Sequence, residues 1–161
     1  MAKYRNLTIE ELESLNEDFV KFLVLNGITG EDWVKLKEKE PENAEGICSA
    51  FSDVVFTKIL TNCKYLEKHL PKFLVSIFCD KQTMYLQGIE AAESTAIDFT
   101  KKEDFEKLKS SPIEGLQKIS SQKDYSKNRE EEIWDMLQNG FYISDQKMYM
   151  NLFNEALESK N

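Results

Sequence analysis

The side chains able to do chemistry are few and scattered. His69 is the one histidine of the chain, and imidazole is the usual group for metal binding, proton transfer and pH sensing. It stands in Lys68-His69-Leu70-Pro71, with no second histidine at helical spacing. A zinc site would need Cys63 or Cys79 beside it, since tetrahedral zinc takes several nitrogen or sulfur ligands. A Cys/His nucleophilic pair carries the same requirement. An ordinary strand or turn histidine is the simpler reading. Glu90, Glu93, Asp98 and Asp104 gather around the end of an expected hairpin and could hold a divalent ion, although no EF-hand spacing supports it. In Arg129-Glu130-Glu131-Glu132 the carboxylates fall in the first turns of an expected helix, where they suit the helix dipole. Tyr125 and Arg129 lie four apart, so adjoining turns at that helix start could present both beside scattered carboxylates as an enzyme site. The glycines at positions 27, 30, 46, 88, 115 and 140 are isolated, and form neither a phosphate-binding loop nor a nucleophile elbow. No residue is nominated as catalytic, cofactor-binding or metal-ligating, and no cofactor is expected.

The elements that would position these groups change character near Cys63. Before it, apolar residues recur every three or four positions; from Lys64 to Ile89 they fall in short β-rich runs. That switch of period marks an α+β domain. Thr8-Ile9-Glu10-Glu11 has the form of a capping box, opening a helix with the stripe Leu12, Leu15, Phe19, Phe22 and Leu23 and a stop at Asn26-Gly27. Thr29 to Asp32 repeats the cap logic before Trp33 and Leu36. Pro41 suits the first position of a third helix, which carries Ala44, Ile47, Phe51, Val55 and Ile59.

Tyr65–Leu70 reads as a strand ending at Pro71, and Phe73–Cys79 pairs with Thr83–Ile89 through Asp80-Lys81-Gln82. With apolar residues on both faces, the strand at 73–79 should be central, covered on both sides or exposed on one to a partner. Gly88 marks a bulge or a close approach. Thr100 to Glu103 forms a third capping box, and Ser110-Ser111-Pro112 ends that helix. Residues 114–121 are a candidate edge strand. Ser126 caps a helix to Gln138, Phe141-Tyr142-Ile143 is an apolar connector, and Ser144 caps a last helix carrying Met148, Leu152, Phe153 and Leu157. The expected fold is α+β in a single domain, 1–161. A three-helix N-terminal block, a small antiparallel sheet of three to four strands (64–89, with 114–121 as the candidate fourth) and C-terminal helices share one core.

Composition narrows function further. An apolar fraction of 41% and an aromatic fraction of 11% over 161 residues suit a folded core. The net charge of −8 disfavours nucleic acid and anionic membrane as partners. No apolar stretch approaches the roughly twenty residues that span a bilayer. With no secretory signal, no C-x-x-C and three widely spaced cysteines (Cys48, Cys63, Cys79), the expectation is a reduced, cytoplasmic setting with cysteines in the core. Tyr65, Phe73, Phe78 and Tyr85 resemble an RNA-stacking platform, but without the basic and glycine residues of an RNP motif core packing explains them better.

Several segments together point to a family. Tyr4-Arg5-x-Leu7-Thr8-x-Glu10-Glu11, Phe19-Val20-Lys21-Phe22-Leu23, Ile28-Thr29-x-x-Asp32-Trp33, Phe51-Ser52-Asp53-Val54-Val55 and Tyr65-Leu66-Glu67 form its N-terminal block. Ile97-Asp98-Phe99-Thr100, Tyr125-x-x-x-Arg129 and Gly140-x-x-Ile143-Ser144 continue it. The chain resembles, over nearly its whole length, a bacterial domain family of unknown function, a resemblance that implies no activity and no site residues.

The expectation for function is therefore a non-enzymatic interaction or regulatory protein whose partner is another protein, docking on an open sheet face or edge. Large aromatics anchor interfaces, which makes Trp33, Phe78, Tyr85, Trp134 and Phe141 candidate contacts. The alternative is a small enzyme using Tyr125, Arg129 and carboxylates. A weaker one is an acidic mimic of nucleic acid, disfavoured because lysines are interspersed with the acids. Oligomeric state is left open.

Overall fold

The computed structural model describes residues 1–110 and 113–158. The chain divides into two compact units, Met1–Thr61 and Asn62–Asn161, meeting where the hydrophobic period changes.

The first unit is helical: α1 (Ile9–Ser14), α2 (Asn16–Leu25), α3 (Gly30–Lys39) and α4 (Pro41–Asn62), the last residue of α4 opening the second unit. Both N-terminal capping boxes form. The Glu11 amide donates to Thr8 Oγ1 while Thr8 N–H donates to Glu11 Oε2, and Thr29 and Asp32 do the same. The single helix expected over 8–26 is instead two. Leu15 leaves helical geometry (φ −104°, ψ 21°), and one residue earlier the Ser14 hydroxyl donates to the Glu11 carbonyl, competing with the backbone ladder. The block therefore has four helices, not three. Pro41 is the first residue of α4, where its missing N–H is harmless. Phe51 is the hub of this unit, with its ring 5.0 Å from Phe19 and 5.4 Å from Phe22.

The second unit is built on a five-stranded antiparallel sheet: β1 (Tyr65–Leu70), β2 (Phe73–Cys79), β3 (Thr83–Ala91), β4 (Leu116–Asp124) and β5 (Tyr142–Ser144), in the order β4-β3-β2-β1-β5. Three helices belong to it, α5 (Lys102–Lys107), α6 (Arg129–Gln138) and α7 (Gln146–Glu158). The candidate strand at 114–121 is real and lies at an edge, with its bounds shifted. The fifth strand corrects the count of three to four. The connector Phe141-Tyr142-Ile143 is extended because Tyr142 to Ser144 pair with Tyr65 to Glu67.

Three caps also differ from expectation. Asn128, not Ser126, caps α6 by accepting from Glu130 and Glu131. Asp145, not Ser144, accepts from the Lys147 amide at the start of α7. At α5, Thr100 bonds back to Asp98, whose own N–H is taken by Asp104 Oδ2, so the box expected at Thr100–Glu103 does not form. At α6 and α7 short Asn and Asp side chains win the cap because they reach nearby backbone amides readily, whereas α5, with Lys101 at its N-cap, has no side-chain cap. Ser111 and Pro112, expected to end α5, lie outside the described residues, as does the side chain of Leu157.

Register assigns the two faces of the sheet. One carries Tyr65, Leu74, Phe78, Tyr85 and Ile89. Leu74, Ile89 and Ala91 bury themselves there with Ile97, Phe99 and Leu152, and Phe105, Leu116 and Met148 pack around them. The opposite face carries Leu66, Val75, Ile77, Cys79 and Met84, all buried. β2 is thus a central strand covered on both sides. Gly88 is a close approach and not a bulge: the β3 register is unbroken, and a Cβ there would sit 3.1 Å from the Leu74 carbonyl. Among the described residues, no helix is long and apolar enough to cross a membrane.

Candidate functional site

With both faces of β2 covered, the accessible part of the sheet is its edge. β4 is the outermost strand on one side and pairs with β3 at every position without a bulge. Just beyond its ends, Ala92 N–H donates to the Gly115 carbonyl (2.8 Å) and Tyr125 N–H to the Gln82 carbonyl (3.2 Å). Bonded and non-bonded pairs alternate along an antiparallel ladder. The odd-numbered residues of β4 therefore bond to β3, and the even-numbered ones, among them Ser120, Gln122 and Asp124, turn N–H and C=O outward. The strand is largely exposed; only Leu116 and Ile119 are half-buried. Lys118 and Lys123 guard it as edge lysines do, but no proline or bulge interrupts it. Gly115 launches the strand in the left-handed region (φ +82°), where a Cβ would meet Thr95 Cγ2 at 2.8 Å.

Behind the edge, Lys123 Nζ is 2.8 Å from Glu132 Oε1 of α6, and Glu132 Oε2 accepts from the Ser126 amide. Burial alone would push the Glu132 carboxyl up; Lys123 and Ser126 outweigh it and hold it below its ordinary value. Between α6 and the sheet lies a cavity of about 220 Å³ with Ile77, Met84, Leu86 and Met136 in its wall and Ser121 and Lys123 at its rim.

Across the other face runs a row of polar side chains. Register aligns Glu67, Ser76, Gln87 and Ser120 on four successive strands. Glu67, Ser76 and Gln87 are buried. Ser120 Oγ donates to Gln87 Oε1 (2.7 Å), whereas Ser76 Oγ has no partner. At the far end, His69 Nδ1 is 3.1 Å from the Phe99 carbonyl and Nε2 is 2.6 Å from Glu67 Oε1. Both ring nitrogens are therefore occupied, Nδ1 by a backbone carbonyl and Nε2 by a carboxylate oxygen. Tyr142 Oη lies 2.9 Å from Nε2 and also bonds Glu67; burial, then that carboxylate, push the Tyr142 phenol up. His69 is thus a strand histidine in a saturated set of bonds. It lies on the face opposite Cys79, and no cysteine is its ligand partner.

The structure does bring Tyr125 and Arg129 together, but both hold backbone carbonyls, and Arg129 also pairs with Glu130 (3.6 Å). Tyr125 Oη donates to the Asp80 carbonyl (2.8 Å), and the Arg129 guanidinium donates to the carbonyls of Asp80, Cys63 and Cys79. They clamp the β2–β3 turn to the start of β1. The Cys63 thiol donates to the Tyr65 carbonyl (3.8 Å), and its interaction with the Cys79 thiol lowers Cys63 and raises Cys79 from the ordinary thiol range. Neither Tyr125 nor Arg129 lines the cavity behind β4.

The five expected aromatic contacts are all half-buried. Trp33 packs edge-on against Phe19 at 5.3 Å. Phe78 stacks on Tyr85 (6.1 Å) and is covered by Tyr149 of α7 (6.0 Å), so the apparent RNA platform is capped by a helix; Phe73 lies on the other face. Trp134 sits in α6, and Phe141 lies under the Lys68 ammonium at 5.4 Å. Among the described residues, no three His, Cys, Asp or Glu side chains are grouped to hold a metal, so Glu90, Glu93, Asp98 and Asp104 do not converge on one. The Glu67-x-His69 spacing, which puts both side chains on one strand face, is the signal that could have found the polar cluster.

A family described as one of unknown function (DUF6495) matches residues 1–158. No curated protein and no solved structure matches the chain.

Proposed function

The chain belongs to the DUF6495 family, and from that premise we propose that it is a non-enzymatic interaction protein that accepts an extended polypeptide segment as a sixth strand beside β4. In strand addition, main-chain hydrogen bonds supply affinity and alternate side chains supply selectivity. The observation that carries the reading is the outer side of β4: a regular, exposed edge whose Ser120, Gln122 and Asp124 direct backbone groups outward. The enzymatic alternative is the weaker one, because Tyr125 Oη and the Arg129 guanidinium bond backbone carbonyls and Arg129 also pairs with Glu130.

Gln122→Pro tests the reading. Proline at an outward-facing edge position removes an N–H that β3 does not use, so the sheet survives while strand addition is blocked. Wild type and variant serve as bait in parallel. A bound polypeptide, another protein or a second copy, that is retained by wild type and lost from the folded variant supports the proposal. Equal binding to both, or a strictly monomeric wild type with no enriched partner, overturns it.

A further inference from the structure

We infer that the strand added at β4 is the β4 of a second copy of this chain, the two running antiparallel about a twofold axis at Ser121. This rests on the strand-addition reading and names its partner.

Two identical antiparallel strands can meet in several registers, and charge distinguishes them. Directly opposed residues point to the same face and interact. Centring on Ser121 sets Lys118 against Asp124 of the second copy, twice by symmetry, with Ser120 against Gln122 and Ile119 against Lys123. Centring on Ser120 places Lys118 opposite Gln122 and Gln117 opposite Lys123, and forms no ion pair. Centring on Gln122 places Ser120 opposite Asp124 and carries Lys118 beyond the strand. Among these registers, the Ser121 one alone joins opposite charges, and it places no like charges face to face.

The backbone agrees with this register. Even-numbered residues turn outward, and here even meets even, giving on the order of eight inter-strand hydrogen bonds. Asp124 accepts one bond from Thr83 Oγ1 (2.6 Å), and a carboxylate has capacity for more. The axis falls on a small serine. Ile119 of the second copy lies along the Lys123 stem at the rim of the 220 Å³ cavity, where its methyl groups extend the apolar wall of Ile77, Met84, Leu86 and Met136. Such an interface is isologous and closes after two copies, covering the β4 edge of each copy in one continuous sheet.

Light scattering after size exclusion, over a wide concentration range, tests this. The expected wild-type mass is twice the 18.8 kDa of one chain. Lys118→Asp and Asp124→Lys should each weaken the dimer by about tenfold or more by opposing like charges, and the double variant Lys118→Asp/Asp124→Lys should restore it. Gln122→Pro should give a monomer, with circular dichroism confirming that each variant folds. A monomeric wild type, a dimer indifferent to Gln122→Pro, or a double variant no tighter than the singles overturns the inference. If the wild type is monomeric but captures another protein in a proline-sensitive way, the homodimer fails while the strand-addition reading stands.

Discussion

Replacing Ser76 with alanine should stabilise the protein, although it deletes a hydrogen-bonding group from the middle of the sheet. The Ser76 hydroxyl is wholly buried and meets no partner. An unsatisfied buried polar group costs about 1–3 kcal/mol. Removing one oxygen leaves a void of roughly 15 Å³, worth under about 0.4 kcal/mol at the usual cavity cost. The net gain is therefore about 1 kcal/mol or somewhat more, and each kcal/mol moves Tm by roughly 2–4 °C in a chain of this size. Ser52 is the internal control. It is equally buried, but its hydroxyl accepts from the Leu7 amide (2.9 Å) and donates to the Cys48 carbonyl (2.8 Å). Ser52→Ala strands that amide and should cost about 1–3 kcal/mol. The same substitution thus has opposite signs at two buried serines. Urea titration reads both, with Trp33 reporting the first unit and Trp134 the second. If Ser76→Ala lowers the midpoint as Ser52→Ala does, the hydroxyl is bonded in solution and the reasoning is wrong.

Gly115→Ala should destabilise the second unit by about 1–2 kcal/mol or more, because a side chain is disfavoured at φ +82° and its Cβ would press on Thr95 Cγ2; a thermal midpoint at or above wild type would contradict this. Glu11, bonded by Arg5 and by the Thr8 amide, has its carboxyl held down to about 2. A lowered folded-state pKa stabilises above the unfolded value, and that contribution is lost as pH falls from the ordinary glutamate range toward 2. A carboxyl-detected NMR titration should find Glu11 still ionised near pH 3, and Arg5→Ala should move its midpoint back toward the ordinary range; an unshifted midpoint in wild type would refute the capping geometry.

Much of the architecture was legible because local rules govern it. Thr8 and Thr29 announce their helices through a hydroxyl and a carboxylate three residues apart, and Pro41 starts α4 for want of an N–H. The hairpin of Phe73 to Ile89 follows from alternating apolar runs and a polar turn. The helix break at Leu15 was hidden, since a serine back-bonding to a carbonyl leaves no mark in the hydrophobic pattern. β5 was hidden for another reason: three residues extend only because β1 offers them an edge. The caps at Asn128 and Asp145 differ from the sequence expectation because any short polar residue near a helix start satisfies the same rule, and geometry chooses among them; Thr100 is instead drawn back to Asp98, which leaves α5 without a side-chain cap.

The candidate site divides along the same line. That 114–121 would be an edge strand was readable from its weak apolar content. Which of its backbone groups face outward depends on the ladder to β3, a long-range pairing. Tyr125 and Arg129 were visible as a spaced pair; that they grip carbonyls of the β2–β3 turn is a fact of the folded chain. Sequence by itself determined the fold class, the net charge of −8 and most element positions, because periodicity and capping act over a few residues and charge follows from composition. Tertiary structure alone decided that both faces of β2 are covered, that His69 is saturated by Glu67, Phe99 and Tyr142, and that β4 is left as the open edge. Those outcomes depend on which strands become neighbours, and neighbours in space are set by the packing of the whole core.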